Sequence, residues 1–425
     1  MPGKVYLKRD RKKRLEQGHP WVYKSEIERM EALEEKDDLV QIVNHEGHFL
    51  ARGFYNPHSQ IAVRVVDYRE ESVVDQEWFE RRIQAAWERR KRLLPGIRSC
   101  RVVYGEADFL PGLIVDKYEN VLVVQILAAG MDRRRLWIFA ALRKVFDPKG
   151  IYERDDVPVR RLEGLEERSG FIGQEFETTL IIEENSLRIA VDVAEGQKTG
   201  YFFDQRENRT RLQPFMTEWG HKRGITVEAD GQAVDAKGRP VKNPFWDGAE
   251  VLDCFSHTGG FMLHACLYGA KRVTCVDISE KALKTARENA LTNGFLHRTE
   301  FVCENVFDYL RQQVEAGRKW DVVILDPPAF AKNRQALPGA VRGYKEINLQ
   351  GMKLLRPGGI LVSASCSYHL SAEKFLSLVQ DAAVDAKKVL RLVEFRRAGL
   401  DHPVLVGSPE TDYLKFGIFE VLERR

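Results

Sequence analysis

Residues 251–277, VLDCFSHTGGFMLHACLYGAKRVTCVD, read as one complete βαβ half of a nucleotide-binding sheet. VLDCF is a short apolar strand, SHTGG a turn of small residues, FMLHACLYGA a helix with Gly269 near its end, and KRVTCVD a second strand closing on an acid. In such a unit the turn after the first strand lets a ligand approach the backbone at a helix N-terminus. The acid about 20 residues on can hold the two hydroxyls of a ribose. Here that acid is Asp277. The turn lacks the GxGxxG spacing expected for a dinucleotide pyrophosphate, and a later buried run, Asp321-VVIL, ends at Asp326-Pro327-Pro328. Together these favour S-adenosylmethionine over NAD. A structural glycine turn, or a different nucleotide, is the competing reading, because fold alone never fixes function.

On the cofactor reading, Asp253, Phe255, Ser256, Thr258, Gly259 and Gly260 border the methionine part, with Asp326 nearby. Asp277 takes the ribose and Asn305, in FVCENVFDYL, the adenine. Asn305 reads equally as a cap for the helix that follows it.

Working outward, a chain of 425 residues exceeds one ordinary core and should divide into two or three domains. Residues 1–72 hold short β-like runs (DLVQIVN, HFLARGFY, IAVRVVDY) broken by Gly and Asn-Pro turns, the pattern of a small barrel. Residues 73–191 combine a helix, EWFERRIQAAWERRKRLL, with strands in RVVYGEADFLPGLIVDKYENVLVVQIL and a second helix from about Arg133 to Phe146, an α+β module. From residue 192 to 425 strand and helix alternate, as in a parallel sheet with crossover helices. Residues 228–248, polar and rich in Gly and Pro, are expected to form an exposed loop or hairpin.

Composition excludes several classes. There is no apolar run long enough to span a bilayer and no signal-peptide core, so a cytoplasmic protein without a membrane partner is expected. Six cysteines without CxxC pairs match neither a zinc site nor a disulfide framework, and no metal is expected. Net charge is only +3, but cations crowd the N-terminus from Lys4 to Arg14 and a probable helix from Arg81 to Arg92. Such clusters suit phosphate contacts. For the helix, where Glu80 and Glu88 intervene, a solvated face is the stronger alternative.

Six sequence blocks carry a family resemblance. GHPWVYKSEI and GFYNPHSQIAVRVV resemble a PUA domain, an RNA-binding pseudo-barrel. AEGQKTGYFFDQRENR, VLDCFSHTGGF, LDPPAF and SASCSYH resemble blocks of the ribosomal RNA large-subunit methyltransferase I family, in that family's order and over essentially the whole chain. The resemblance implies a Rossmann-like class I methyltransferase domain behind a PUA-like β-barrel. It also implies S-adenosylmethionine-dependent methylation of cytosine C5 in large-subunit (23S) ribosomal RNA, free or in an assembly intermediate. The oligomeric state stays open, a homodimer included.

Chemistry gives that implication particular residues. Cytosine C5 is a poor nucleophile until a thiolate adds to C6 and makes C5 enamine-like. Cys366 follows the apolar run GGILVSAS at the expected C-terminal end of a strand, where ligands of open α/β sheets collect, and it matches the block that supplies the family's nucleophile. An inert buried thiol is the alternative, and the one that holds for Cys254, Cys266 and Cys275. Asp326 is the second catalytic residue expected, aimed by two prolines at the cytosine N3 and N4 edge. Many RNA cytosine methyltransferases carry a second cysteine after that motif. This chain has Ala329, which implies a one-cysteine mechanism. Lys198, Arg206, Lys332 and Arg342 are the residues expected to face RNA phosphate, with the cofactor carboxylate as the alternative for Lys198 and Arg206 and a solvated helix start for Lys332 and Arg342; Lys198, Arg206 and Lys332 are also candidates for the cation beside the thiolate. Methylation of a guanine nitrogen, which needs no cysteine, and a non-catalytic RNA-binding role are the two competing functions.

Overall fold

The computed structural model describes residues 3–31, 38–331, 333 and 335–424. By packing the chain forms two compact units, one of residues 1–183, 191–204 and 399–412, the other of residues 184–190, 205–398 and 413–425. No helix among the described residues is long and apolar enough to cross a membrane.

The second unit is a seven-stranded doubly wound sheet. Its strands are β1 (Glu250–Cys254), β2 (Arg272–Asp277), β3 (Thr299–Cys303), β4 (Trp320–Leu325), β5 (Leu355–Ser365), β6 (Lys388–Arg396) and β7 (Lys415–Glu423), in the order β3-β2-β1-β4-β5-β7-β6. The first five are mutually parallel, and β7 runs antiparallel between β5 and β6. Every residue of β4 is buried, and apart from Asp321, which pairs with Arg223 and Arg356, WDVVIL is apolar throughout rather than alternating, as expected where helices cover both faces. Leu325, Tyr344, Ile347 and Phe375 share one cluster with it, and each such side chain fully buried contributes roughly 1.5–3 kcal/mol. Strand order reverses between β1 and β4, which opens a crevice at their C-terminal ends. The polar stretch before β1 contains a short hairpin pairing Thr226–Val227 with Ala233–Val234.

Two larger sheets lie in the first unit. Six strands within Gly3–Asp67 form one, including the three runs expected there. Five strands between Cys100 and Phe171 form the other, flanked by helices Gln76–Leu93 and Arg135–Phe146. Asp75 starts the first helix by accepting from the Trp78 amide at 2.8 Å. The sheet within Gly3–Asp67 keeps a core of its own around Val5, Val40, Ile42 and Val63, and contacts also cross the boundary suggested near residue 72. Arg64 bonds Glu106 at 3.0 Å and Glu163 at 2.8 Å, Arg134 bonds Asp38, and Phe54 and Val66 belong to the core of the α+β module.

The basic run on helix Gln76–Leu93 is not a free phosphate surface. Arg90 is wholly buried, bidentate with Asp108 and donating to the carbonyls of Arg101 and Asp401. Arg81, Arg82 and Lys91 pair with Glu77, Asp67 and Glu88. A guanidinium taken out of water needs such partners, which the spacing of charges in sequence does not reveal.

Candidate active site

The turn after β1 is held in an unusual backbone conformation. Phe255, His257 and Gly259 have φ of 61°, 48° and 85°, and the amides of Phe255 and Ser256 both donate to the Val276 carbonyl, at 2.8 and 3.2 Å. Gly259 is required by its positive φ, and Gly260 by a neighbour. A Cβ on Gly259 would lie 2.5 Å from Met262 Cε, and one on Gly260 2.8 Å from Arg209 Nε. Arg209 is fixed by Glu184, 2.6 Å away, with both side chains buried. Burial works to raise the Glu184 carboxyl, but Arg209, His264 and Arg206 hold it below its ordinary value. His264 is pushed down to about 4 by burial and is neutral at pH 7. Its Nδ1–H donates to the Gly260 carbonyl at 2.8 Å, and Nε2 accepts from Asn185 at 2.9 Å.

In front of this support lie polar atoms that point to a ligand. Asp253 at the end of β1 is buried, and among the described residues neither of its oxygens has a well-formed hydrogen bond, the Met262 amide being the backbone donor directed at the carboxyl; Ser256 Oγ has no partner among the described residues. Burial, reinforced by the nearby carboxylates of Asp326 and Asp277, pushes the Asp253 carboxyl well above its usual range. A cation delivered here would relieve that strain. Asp277 accepts from the His257 amide through Oδ2 and from the Ser279 amide through Oδ1, both at 2.9 Å, and each oxygen keeps a second acceptor direction for a ribose hydroxyl. Asn289 closes the turn from behind, donating to the Thr258 carbonyl at 3.1 Å. A buried carboxyl short of donors, a hydroxyl without a partner among the described residues, a glycine cradle and an acid pinned by two backbone amides fit S-adenosylmethionine. Asn305 is exposed and caps helix Val306–Glu315, its Oδ1 taken by the Phe307 amide at 2.9 Å, which leaves its amide NH₂ for any adenine.

The other half of the crevice is assembled from distant segments. Asp326 follows β4, and its Oδ1 accepts from Gln205 Nε2 at 3.0 Å. Gln205 accepts from Asn208 at 2.7 Å, and Asn208 from Arg396 at 2.9 Å, so a polar relay sets the carboxylate's orientation. Cys366 follows β5, half-exposed, with Sγ 3.8 Å from the Pro327 carbonyl. An aromatic chain joins the two halves: Phe255 lies 6.3 Å from Phe330, and Phe330 4.6 Å from Tyr344. The Tyr344 hydroxyl is 2.9 Å from Ser367 Oγ, beside the cysteine. Lys415 of β7 is buried and donates to the carbonyls of Ser367 and Tyr413 at 2.7 and 2.6 Å.

Thus Asp253, Phe255, Ser256, Thr258, Gly259, Gly260, Asp277, Asp326 and Cys366 meet at the C-terminal ends of β1, β2, β4 and β5. The expected phosphate ligands behave differently. Arg206 is buried, 3.7 Å from both Glu184 and Glu207, a placement that does not fit a solvent-facing phosphate contact. Lys198 belongs to the first unit, exposed and paired with Asp204 at 3.1 Å. Arg342 is exposed on helix Leu337–Lys353, and Lys332 lies outside the described residues. Gln205, Arg209, Tyr344 and Lys415 escape a sequence reading. Only the first two had a signal, sitting in the distinctive block AEGQKTGYFFDQRENR. Cys254 and Cys275 are fully buried and pushed well above the usual thiol range, and burial pushes Cys266 up to about 12. Their inert reading stands.

Comparison with known proteins places this geometry. A PUA-like domain model matches residues 5–68, and a model described as Conserved hypothetical protein 95 matches residues 241–368. In fold the chain is similar to a protein from Streptococcus mutans described as a SAM-dependent methyltransferase (TM-score 0.77, 19% identity, 99% of this chain and 100% of that one). It is similar also to SMU.776, described as a methyltransferase and solved with SAH (TM-score 0.79, 20% identity, 99% and 100%). These establish the architecture, a Rossmann-like methyltransferase sheet with a PUA-like barrel. Relatives named ribosomal RNA large subunit methyltransferase I are far nearer in sequence. That of Pseudoalteromonas translucida is 40% identical over 98% of both chains, that of Aeromonas salmonicida 41% over 97% of both, and that of Escherichia coli 38% over 98% of both. With such identity along its full length and the crevice intact, the chain belongs to the ribosomal RNA large subunit methyltransferase I family.

Proposed function

We propose that this protein methylates C5 of a cytosine in large-subunit (23S) ribosomal RNA through a covalent bond from Cys366 to C6. The observation that carries the proposal is the pairing of a half-exposed thiol and an oriented carboxylate on adjoining strand ends, with Cys366 Sγ 3.8 Å from the carbonyl of Pro327, the residue after Asp326. S-adenosylmethionine, when bound, supplies an electrophilic methyl group on a sulfonium. In this reading the Cys366 thiolate adds to C6, and the pyrimidine electrons shift to make C5 nucleophilic. C5 takes the methyl group, the C5 proton passes to a base, and elimination of the thiolate restores the aromatic ring. Asp326, held by Gln205, binds the N3 and N4 edge and stabilises the adduct. The Lys415 ammonium, fixed on the carbonyl of the residue after Cys366, favours the thiolate, a role the sequence had offered to Lys198, Arg206 or Lys332. The base must be unstacked to reach this crevice, which favours a loop or an opened helix as substrate.

Three working regions belong to the proposal. Residues 1–72 grip RNA, with Lys12 and Lys13 exposed among the N-terminal cations; 73–191 is an α+β module; 192–425 carries out the transfer. RNA bearing 5-fluorocytosine at the target tests the chemistry, because fluorine cannot leave as a proton and the enzyme–RNA adduct persists. Cys366→Ala should retain cofactor and RNA binding, give no adduct and lose methyl transfer by on the order of a thousandfold or more. If that variant methylates at a comparable rate, C5 chemistry is wrong and methylation of a guanine nitrogen takes its place.

A further inference from the structure

Outside the crevice, a groove of about 600 Å³ runs between helix Glu280–Thr292 and strand β3. Lys281, Lys284 and Arg287 line one wall. At i, i+3 and i+6 they share a helix face, spaced about 4.5 Å apart along the axis. Phe301 and Cys303 form the other wall; two residues apart on one strand, they point to the same side. Glu280 is the single acid of the lining.

Two features separate this groove from an ordinary solvated helix face. The first is charge. Arg272 is neutralised by Glu300 at 2.9 Å and Arg311 by Glu346 at 3.0 Å. Lys284 and Arg287, by contrast, make no ion pair with any described acid, so the repulsion between them is left for a ligand to relieve. The second is an aromatic floor. Phe301 is half-buried and the Arg287 guanidinium stands 4.8 Å from its ring centre. Cations along a groove beside an aromatic side chain are the recognition elements of single-stranded nucleic acid, phosphates on the former and a base on the latter.

Position supports a link to the site. The helix begins one residue after Ser279, whose amide holds Asp277, and Cys303 is the register partner of Asp277 across β2 and β3. β3 is the sheet's edge strand, so this wall is open on its outer side. We propose that the groove binds a single-stranded RNA segment flanking the target nucleotide, as a phosphate and base-stacking subsite distinct from the residues that hold cofactor and cytosine. The inference rests on the RNA-substrate reading above, though not on which base atom is methylated.

The test uses the full-length protein and unmodified transcribed large-subunit ribosomal RNA, with affinity measured across a range of salt concentrations. The double variant Lys284→Gln/Arg287→Gln should bind roughly 10- to 30-fold more weakly near 0.1 M salt, with a slope of log K against log salt shallower by about 1.4, the loss of two single-strand phosphate contacts. Its affinity for S-adenosylmethionine should equal that of the wild type, which shows that the fold is intact. Phe301→Leu, which removes stacking and leaves the charge, should weaken binding with the slope unchanged. Equal affinity and slope in the double variant overturn the groove as an RNA site and leave an acidic protein surface as the partner class that fits. Failure of the wild type to bind this RNA at all overturns the RNA-substrate reading itself.

Discussion

The two halves of the crevice are built in different ways. Around Asp277 nearly everything that shapes the site is local: the turn 255–260, the strand that ends on Asp277 and the Ser279 amide lie within one short stretch, and backbone groups make the decisive bonds. Around Cys366 nothing is local. Gln205, the loop from Asp326 to Phe330, Tyr344 and Lys415 come from four separate segments and meet through side chains. A cofactor common to many reactions can be held by a recurrent backbone device, whereas a particular reacting base needs groups that only long-range packing brings together.

The contrast can be broken at its strongest point first. Asp277→Ala should weaken S-adenosylmethionine binding by about 1.5–3 kcal/mol, the scale of hydrogen bonds to a charged group, as read by isothermal titration. Unchanged affinity in a folded variant would remove Asp277, and with it the local device, from the site.

A second measurement asks how far the local half depends on support from elsewhere. Because the folded His264 pKa of about 4 lies below the ordinary histidine value of about 6.5, the unfolded chain takes up a proton that the native state refuses. Stability from this group is therefore present above about pH 6.5 and lost as pH falls towards about 4, near 2 kcal/mol between about pH 7 and 5. Urea unfolding at the two pH values should show that loss, and His264→Gln should shrink it. An identical pH dependence in the variant would mean that other groups carry it.

The smallest effect concerns Asn305. Asn305→Ala should lower stability by about 1 kcal/mol through the lost cap, and Asn305→Asp, which keeps an acceptor, should restore it. If the amide reaches adenine, both variants bind cofactor more weakly. Wild-type affinity in Asn305→Asp confines the residue to capping.

Much of the fold was legible for a physical reason. Periodicity and turn chemistry act over a few residues, so the βαβ half, the capped helix Gln76–Leu93 and the short strands within Gly3–Asp67 emerge at or close to their expected positions. Charge misled where burial decided. Arg90 reads as one cation of a solvated helix face and Arg206 as a contact for RNA phosphate or the cofactor carboxylate, yet each is withdrawn from water onto a carboxylate elsewhere in the chain.

By itself the sequence determined the doubly wound sheet, the placement of Asp253, Asp277, Asp326 and Cys366 at its strand ends, and the cofactor class. These follow from local pattern and from the rule that open α/β sheets bind ligands at their switch point. Tertiary structure alone decided that Gly260 must admit Arg209, that Gln205 orients Asp326, and that a buried lysine from β7 anchors the cysteine loop. Side-chain partners separated by 50 to more than 100 residues leave no periodic trace, because only the packed core sets their distance.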